Sequence, residues 1–233
     1  MKSPSRVISG GARELARRGF LRPRNDLRRL RLIFRVRFNA WVNRSTVDVT
    51  IDRTVRIETD IQIESGARVH TTLHIGPGSR LRHGSRLRLF GGTMYLGDSV
   101  DVRDGATLTV SGGTMTFDGL TVISNGVLVH CEEWVHVKKH GLIAEYTTIA
   151  DSRHFYTDPE QWSYKNTKTA PIDIGSDVWI CPKSTVTSGV TIGDYTIVAS
   201  NTVVIKDVPN GVLVSGVPGK VIRELGLPWV ESQ

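Results

Sequence analysis

Aliphatic residues recur every six positions along most of this chain. Ile51, Ile57, Ile63, Val69, Ile75, Leu81 and Leu87 form one unbroken run, and Ile174, Ile180, Val186, Ile192, Val198 and Val204 form another. Shorter runs lie between them: Leu96, Val102 and Leu108; Phe117, Ile123 and Val129; Val137, Ile143 and Ile149. In the two long runs the residue four places after each anchor is small or apolar, as with Val178, Ser184, Val190, Thr196, Thr202 and Val208 in the last run. A period of six matches neither an α-helix nor a plain alternating strand. It fits a short strand and a turn, with one aliphatic side chain turned inward per repeat. Gly, Asn and Asp gather at the turns, as in Gly175-Ser176-Asp177 and Gly193-Asp194, where a positive φ costs little. Three such strands close a triangular coil. The 22 hexads then predict an all-β parallel solenoid over residues 46–216, about seven coils stacked at about 4.8 Å.

Each coil of such a stack buries its apolar side chains only against its neighbours, so an exposed first coil needs a cap. Residues 1–45 are the candidate cap, residues 155–171 interrupt the period as a loop insertion, and residues 217–233 read as a tail with a short helix. In LRRLRLIFRVRFNAW, the residues Leu27, Leu30, Phe34, Phe38 and Trp41 have helical spacing. Leu30, Leu32, Phe34, Val36 and Phe38 alternate equally well as a strand, and the pattern does not decide between them.

Charge is as uneven as the repeat is regular. Residues 1–38 carry a net +10, while the remainder of the chain carries −3. A nucleic-acid-binding domain spreads Lys and Arg over a folded face, so no nucleic-acid partner is expected. The basic segment could be a cap with a solvated outer face, or it could touch anionic lipid. No run of about 18 apolar residues is present, and the first residues lack the continuous apolar stretch of a secretory signal. Cys131 and Cys181 cannot build a disulfide framework and fit a reducing compartment. The expected location is cytoplasmic, with peripheral contact at the inner membrane face through residues 1–38 left open.

From Ile172 to Leu225 the chain reads IDIGSDVWICPKSTVTSGVTIGDYTIVASNTVVIKDVPNGVLVSGVPGKVIREL. This resembles the hexapeptide-repeat acyltransferases, the left-handed β-helix group that includes sugar and xenobiotic O-acetyltransferases. The shared pieces are I-G-x-x-V-W-I, G-V-T-I-G-D, K-D-V-P and the terminal G-V-P-x-K-V-I-R. Upstream, VHVKKHGLIAEYTTIADSRHFY resembles the stretch that carries the family's catalytic histidine. The likeness is specific over residues 129–225; before that it is the repeat alone. It implies a left-handed parallel β-helix, a homotrimer with sites between subunits, and transfer from acetyl-CoA or another acyl-CoA without a metal.

Acyl transfer from a thioester to a hydroxyl needs a base, oxyanion donors and two aligned substrates. Of seven histidines, His154 stands out by position: it ends the hexad Ile149-Ala-Asp-Ser-Arg-His, where the period breaks into FYTDPEQWSYKNTKTAP. The resemblance adds that the family's general base lies five residues after a hexad anchor, as His154 does after Ile149. Its orienter could be Asp151 or a backbone carbonyl, and direct attack without an acyl-enzyme is expected. The resemblance implies that Lys206, Lys220 and Arg223 hold the coenzyme's phosphates. It also places Ser200 along the pantetheine arm and Trp179 near the reacting end. Without it, those cations are a solvated end of the molecule and Trp179 a packed or interface aromatic.

Cys181 follows Ile180 and is either a small turn residue or a nucleophile. Phe155, Tyr156, Trp162 and Tyr164 could cover a neighbour's site or staple the insertion to the wall. The expected reaction is O-acylation, with acetyl as the group, of a carbohydrate or glycoconjugate hydroxyl. Asn125 lies near but out of register with an acceptor-side asparagine of some sugar acetyltransferases, which leaves a simple sugar acceptor in doubt. N-acylation of an amino sugar or small amine is the first alternative. A zinc hydratase of the γ-type carbonic anhydrase kind, using His130, His136 and His154 with His136 and His154 stacked one coil apart, is another. A catalytically silent scaffold is the last.

Overall fold

The computed structural model describes residues 23–155 and 166–226. The hexads fold as the expected three-sided stack. The first face has seven parallel strands: Thr46–Ile51, His70–Ile75, Gly92–Leu96, Thr114–Phe117, Trp134–Val137, Ile172–Ile174 and Thr191–Ile192. The second begins with Arg56–Ile57 and passes through Leu142–Ile143, Trp179–Ile180 and Ile197–Val198 to Val212–Ser215. The third runs from Gln62–Ser65 through Leu128–Cys131, Thr148–Ala150 and Thr185–Val186 to Val203–Val204. The anchors of all three faces meet in one continuous buried column, including Ile75, Leu81, Leu87, Phe117, Ile149 and Ile180.

Coil length is not uniform. Ile51 lies opposite Ile75, 24 residues on, and Ile75 opposite Leu96, 21 residues on. Phe117 faces Val137 after 20 residues, and only beyond the insertion does Ile174 face Ile192 after 18. The first coil therefore contains a fourth hexad that makes no wall. Its anchor, Val69, sits in a corner and is only half-buried. Later corners are shortened by paired glycines. A Cβ on Gly113 would lie 2.6 Å from the backbone of Glu132 and Glu133, so the coils can approach there only without a side chain.

The chain before the first coil forms helix α1, Pro23–Val42. Pro23 suits a first helical turn, and Asp26 complements its positive end. Leu32, Val36 and Ala40 are buried toward the stack, and α1 contacts all three strands of the first coil. The helix also satisfies polar backbone that a preceding coil would have paired. Asn25 Nδ2 donates to Val55 O (2.7 Å), Arg28 to Ile57 O and Arg29 to Ile51 O (both 3.1 Å). At the other end, the expected short C-terminal helix is absent from the described residues. Lys220–Glu224 is instead a strand, antiparallel to Val212–Ser215. The reason is an open edge: the last strand of the second face has unpaired backbone groups, and an added strand satisfies them where a helix could not.

One wall contact gives a pH-dependent expectation. Arg82 makes a two-point pair with Asp101, Nε to Oδ1 at 2.8 Å and Nη2 to Oδ2 at 2.7 Å. Burial pushes the Asp101 carboxyl up, but the hydrogen bonds and charge of Arg82 outweigh it and hold the group below its ordinary value. A depressed folded pKa stabilises above the unfolded value and is lost as pH falls through the folded one. Asp101→Asn should therefore cost about 1–3 kcal/mol at neutral pH. Urea midpoints of the two proteins should converge below about pH 4.

Candidate functional site

The regular wall ends on the third face after Thr148–Ala150. The chain then leaves as Ser152–His154 and returns as Thr167–Thr169, an antiparallel pair in which His154 opposes Thr167. The stack resumes at Ile172, opposite Val135. The departure falls at a corner where the coil below offers the backbone N–H groups of Glu132, Glu133 and Trp134. Other corners meet such groups with carbonyls of the next coil, as Thr114 N does with Glu133 O at 3.0 Å. Here the carboxylate of Asp151 takes their place, accepting from Glu132 N (2.8 Å), Glu133 N (2.8 Å) and Trp134 N (2.9 Å) while fully buried. Asp151 is thus committed to the scaffold, not to orienting His154. Sequence reasoning missed this role, because the three donors belong to another coil.

His154 is exposed, and its imidazole has no hydrogen-bond partner among the described residues. It projects to the same side of its strand as Ser152. The Ser152 hydroxyl donates to Glu132 Oε1 (3.1 Å), and His130 Nε2 lies 3.0 Å from the same oxygen. Beside this strand a cleft of about 540 Å³ opens on the third face, lined by Ala150, Ser152, Arg153, Thr185, Thr187 and Ile205. Phe155 lies under the Lys168 ammonium, 4.4 Å from ring centre to nitrogen. Tyr156, Trp162 and Tyr164 fall outside the described residues.

The expected donor residues divide into two groups. Lys206, which follows the third-face strand Val203–Val204, is exposed, as are Lys220 and Arg223 on the tail strand. A backbone bond from Gly219 N to Val203 O (2.8 Å) ties the tail to that strand, so Lys206 and Lys220 come to the same end of the stack. None of the three forms an ion pair among the described residues; the Arg223 guanidinium donates to Glu224 O. Ser200 is exposed at the preceding corner. Trp179 is 44% exposed on the second face, between Leu142 and Ile197, and a single chain does not bring it to His154.

Within one chain the zinc arrangement is not assembled among the described residues. His130 is on the third face opposite Ala150, His136 on the first opposite Asp173, and His154 on the outer hairpin. The His136–His154 stack fails because the chain leaves the wall before His154. His136 instead lies between Asp118 (3.2 Å) and Asp173 (3.4 Å). Cys181 is buried, and burial pushes its thiol up, away from the thiolate a nucleophile needs. Burial also raises the Cys131 thiol, with the Asp151 charge adding to it. Both thiols should resist alkylation until the protein unfolds, and Cys181→Ala should keep acyl transfer within about twofold of the parent rate in a thiol-release assay.

Residues 171–206 match the family described as bacterial transferase hexapeptide (six repeats). Over 55 residues the chain is 46% identical to galactoside O-acetyltransferase of Escherichia coli (strain K12), a match spanning 24% of this chain and 27% of that enzyme. It is also similar to a hexapeptide-repeat-containing acetyltransferase from Vibrio cholerae O1 biovar eltor, solved with acetyl coenzyme A. That likeness is 31% identity over 56% of this chain and 70% of the other, with a TM-score of 0.53. An N-acyltransferase from Bacillus cereus, solved with dTDP and coenzyme A, shares the fold at 19% identity over 76% of this chain and 83% of its own, TM-score 0.53. The chain belongs to the hexapeptide-repeat acyltransferase family and has its left-handed parallel β-helix.

Proposed function

We propose that this protein is an acyl-coenzyme-A-dependent O-acyltransferase, transferring acetyl to a hydroxyl of a carbohydrate or glycoconjugate. The observation that carries the reading is His154: an exposed imidazole at the end of a rigid wall, on a strand whose Ser152 and Arg153 line an open cleft. The donor, when bound, supplies an activated thioester. Lys206, Lys220 and Arg223 suit its phosphates because none has an acidic partner among the described residues. Ser200, exposed at the preceding corner, would flank its pantetheine arm. His154 takes the proton of the acceptor hydroxyl as that oxygen attacks, and returns it to the departing sulfur. Direct transfer needs no nucleophilic side chain, which agrees with two buried, upward-shifted thiols.

Trp179 and His154 occupy different faces of one chain, so a pocket containing both needs the second face of a neighbouring copy. A homotrimer, with each site between two subunits, answers that need. Two free cysteines and the proposed coenzyme A donor suit a reducing compartment, which supports a cytoplasmic enzyme. The test is thiol release from acetyl-CoA across a panel of glycan acceptors. One or more hydroxylated glycans should give acceptor-dependent release, lost in His154→Ala. Turnover of amino sugars alone would replace this reading with N-acylation.

A further inference from the structure

Helix α1 has two apolar faces where a cap needs one. Leu32, Val36 and Ala40 are buried against the first coil. On the opposite side, Leu27, Leu30, Phe34, Phe38 and Trp41 follow at intervals of three and four, and all are 49–73% exposed. Their rings form a ladder, Phe34 to Phe38 and Phe38 to Trp41, each with centroids 5.9 Å apart. Such a contiguous apolar patch on a folded surface marks an interaction site.

The charges beside the stripe say what covers it. Arg28 and Arg29 are used on the carbonyls of the first coil. Arg31, Arg35 and Arg37 border the stripe, are exposed, and form no ion pair among the described residues. Asp26 is the single acidic residue of the helix. A second copy packed face to face through this stripe would bring these arginine rows together, with like-charge repulsion, and a three-fold assembly does not pair the stripe with itself. A surface of anionic headgroups over an apolar interior complements both parts: rings and Leu enter the headgroup–acyl boundary, and guanidiniums meet phosphates. No described helix is long and apolar enough to cross a membrane, so α1 would lie in the plane of the surface.

We propose that the outward face of α1 docks on an anionic phospholipid bilayer. Because α1 closes the first coil, the stack then stands on the bilayer by its end. The third-face strand leading to His154 is four coils further along, roughly 20 Å away at the usual strand spacing. An acceptor carried on a lipid would be reached at that height. Docking itself does not depend on the proposed reaction, and its failure would leave that reading intact.

The experiment is flotation of the full chain with vesicles of phosphatidylcholine, with and without phosphatidylglycerol. Binding is expected only to the anionic vesicles and should weaken as salt rises. A Phe34→Ser, Phe38→Ser, Trp41→Ser variant should lose it, and an Arg31→Gln, Arg35→Gln, Arg37→Gln variant should bind at least about tenfold more weakly. Both should melt with the parent, since the altered side chains are exposed. Bilayer-depth quenching by brominated lipid should be seen for the parent and be reduced in Trp41→Phe. Equal binding of parent and serine variant would overturn the proposal. So would absence of parent binding with a fall in the serine variant's mass by light scattering, which would assign the face to a second copy.

Discussion

Replacing His154 with alanine should lower turnover by ~10²–10⁴-fold, with little change in the KM for acetyl-CoA. The size follows from the role: a positioned base removes a proton from a group too weak to attack with it in place. The split follows from position, because the cations suited to the donor's phosphates lie on the tail and after the last third-face strand, not on the hairpin. His154→Gln can hydrogen-bond but cannot carry a proton at neutral pH, so it should be as slow as alanine. Removing Lys206, Lys220 or Arg223 should do the reverse and raise the donor KM with kcat nearly kept. Folding should be untouched in the histidine variants, since the imidazole is exposed and without a partner among the described residues. Full turnover by the alanine variant would place the base elsewhere.

The six-residue period made the walls legible because each anchor has one physical job. Ile174, Ile180, Val186, Ile192, Val198 and Val204 are all buried. The same signal misleads at corners. Val69 keeps the period but serves a turn, because an apolar residue spaced by six looks the same whether its hexad is a wall or a corner. The departure of the chain at His154 was legible for the opposite reason: a broken repeat marks where the chain stops serving the core and can present chemistry.

Helix α1 shows what spacing alone leaves open. Leu27, Leu30, Phe34, Phe38 and Trp41 carry the strongest helical pattern, yet the stack takes the smaller face of Leu32, Val36 and Ala40. The choice belongs to the partner surface: the polar side chains that reach unpaired carbonyls of the first coil, Asn25 and Arg29, sit on the smaller face. The tail was settled the same way. Val221 and Ile222 in Gly219-Lys220-Val221-Ile222-Arg223 are β-branched and suit a strand, and the open edge at Val212–Ser215 supplies its partner.

Asp151→Ala should destabilise the protein by roughly 3 kcal/mol or more, since it leaves three part-buried N–H groups without their acceptor, at about 1 kcal/mol or more each. For a chain of this size that lowers Tm by roughly 10 °C or more. Asp151→Asn should fall between, because one oxygen still accepts while the amide nitrogen turns donors toward donors. Calorimetry gives the loss, and amide exchange should locate it: Glu132, Glu133 and Trp134 should exchange faster, while amides of the first coils keep their protection, as expected of a stack that loosens coil by coil. The pair Ser152–His154 begins one residue on, so turnover should fall too, but with the melting change that His154→Ala lacks. Melting of the alanine variant with the parent would mean that the corner is held by its glycines and walls alone, and that the buried carboxylate has some other use.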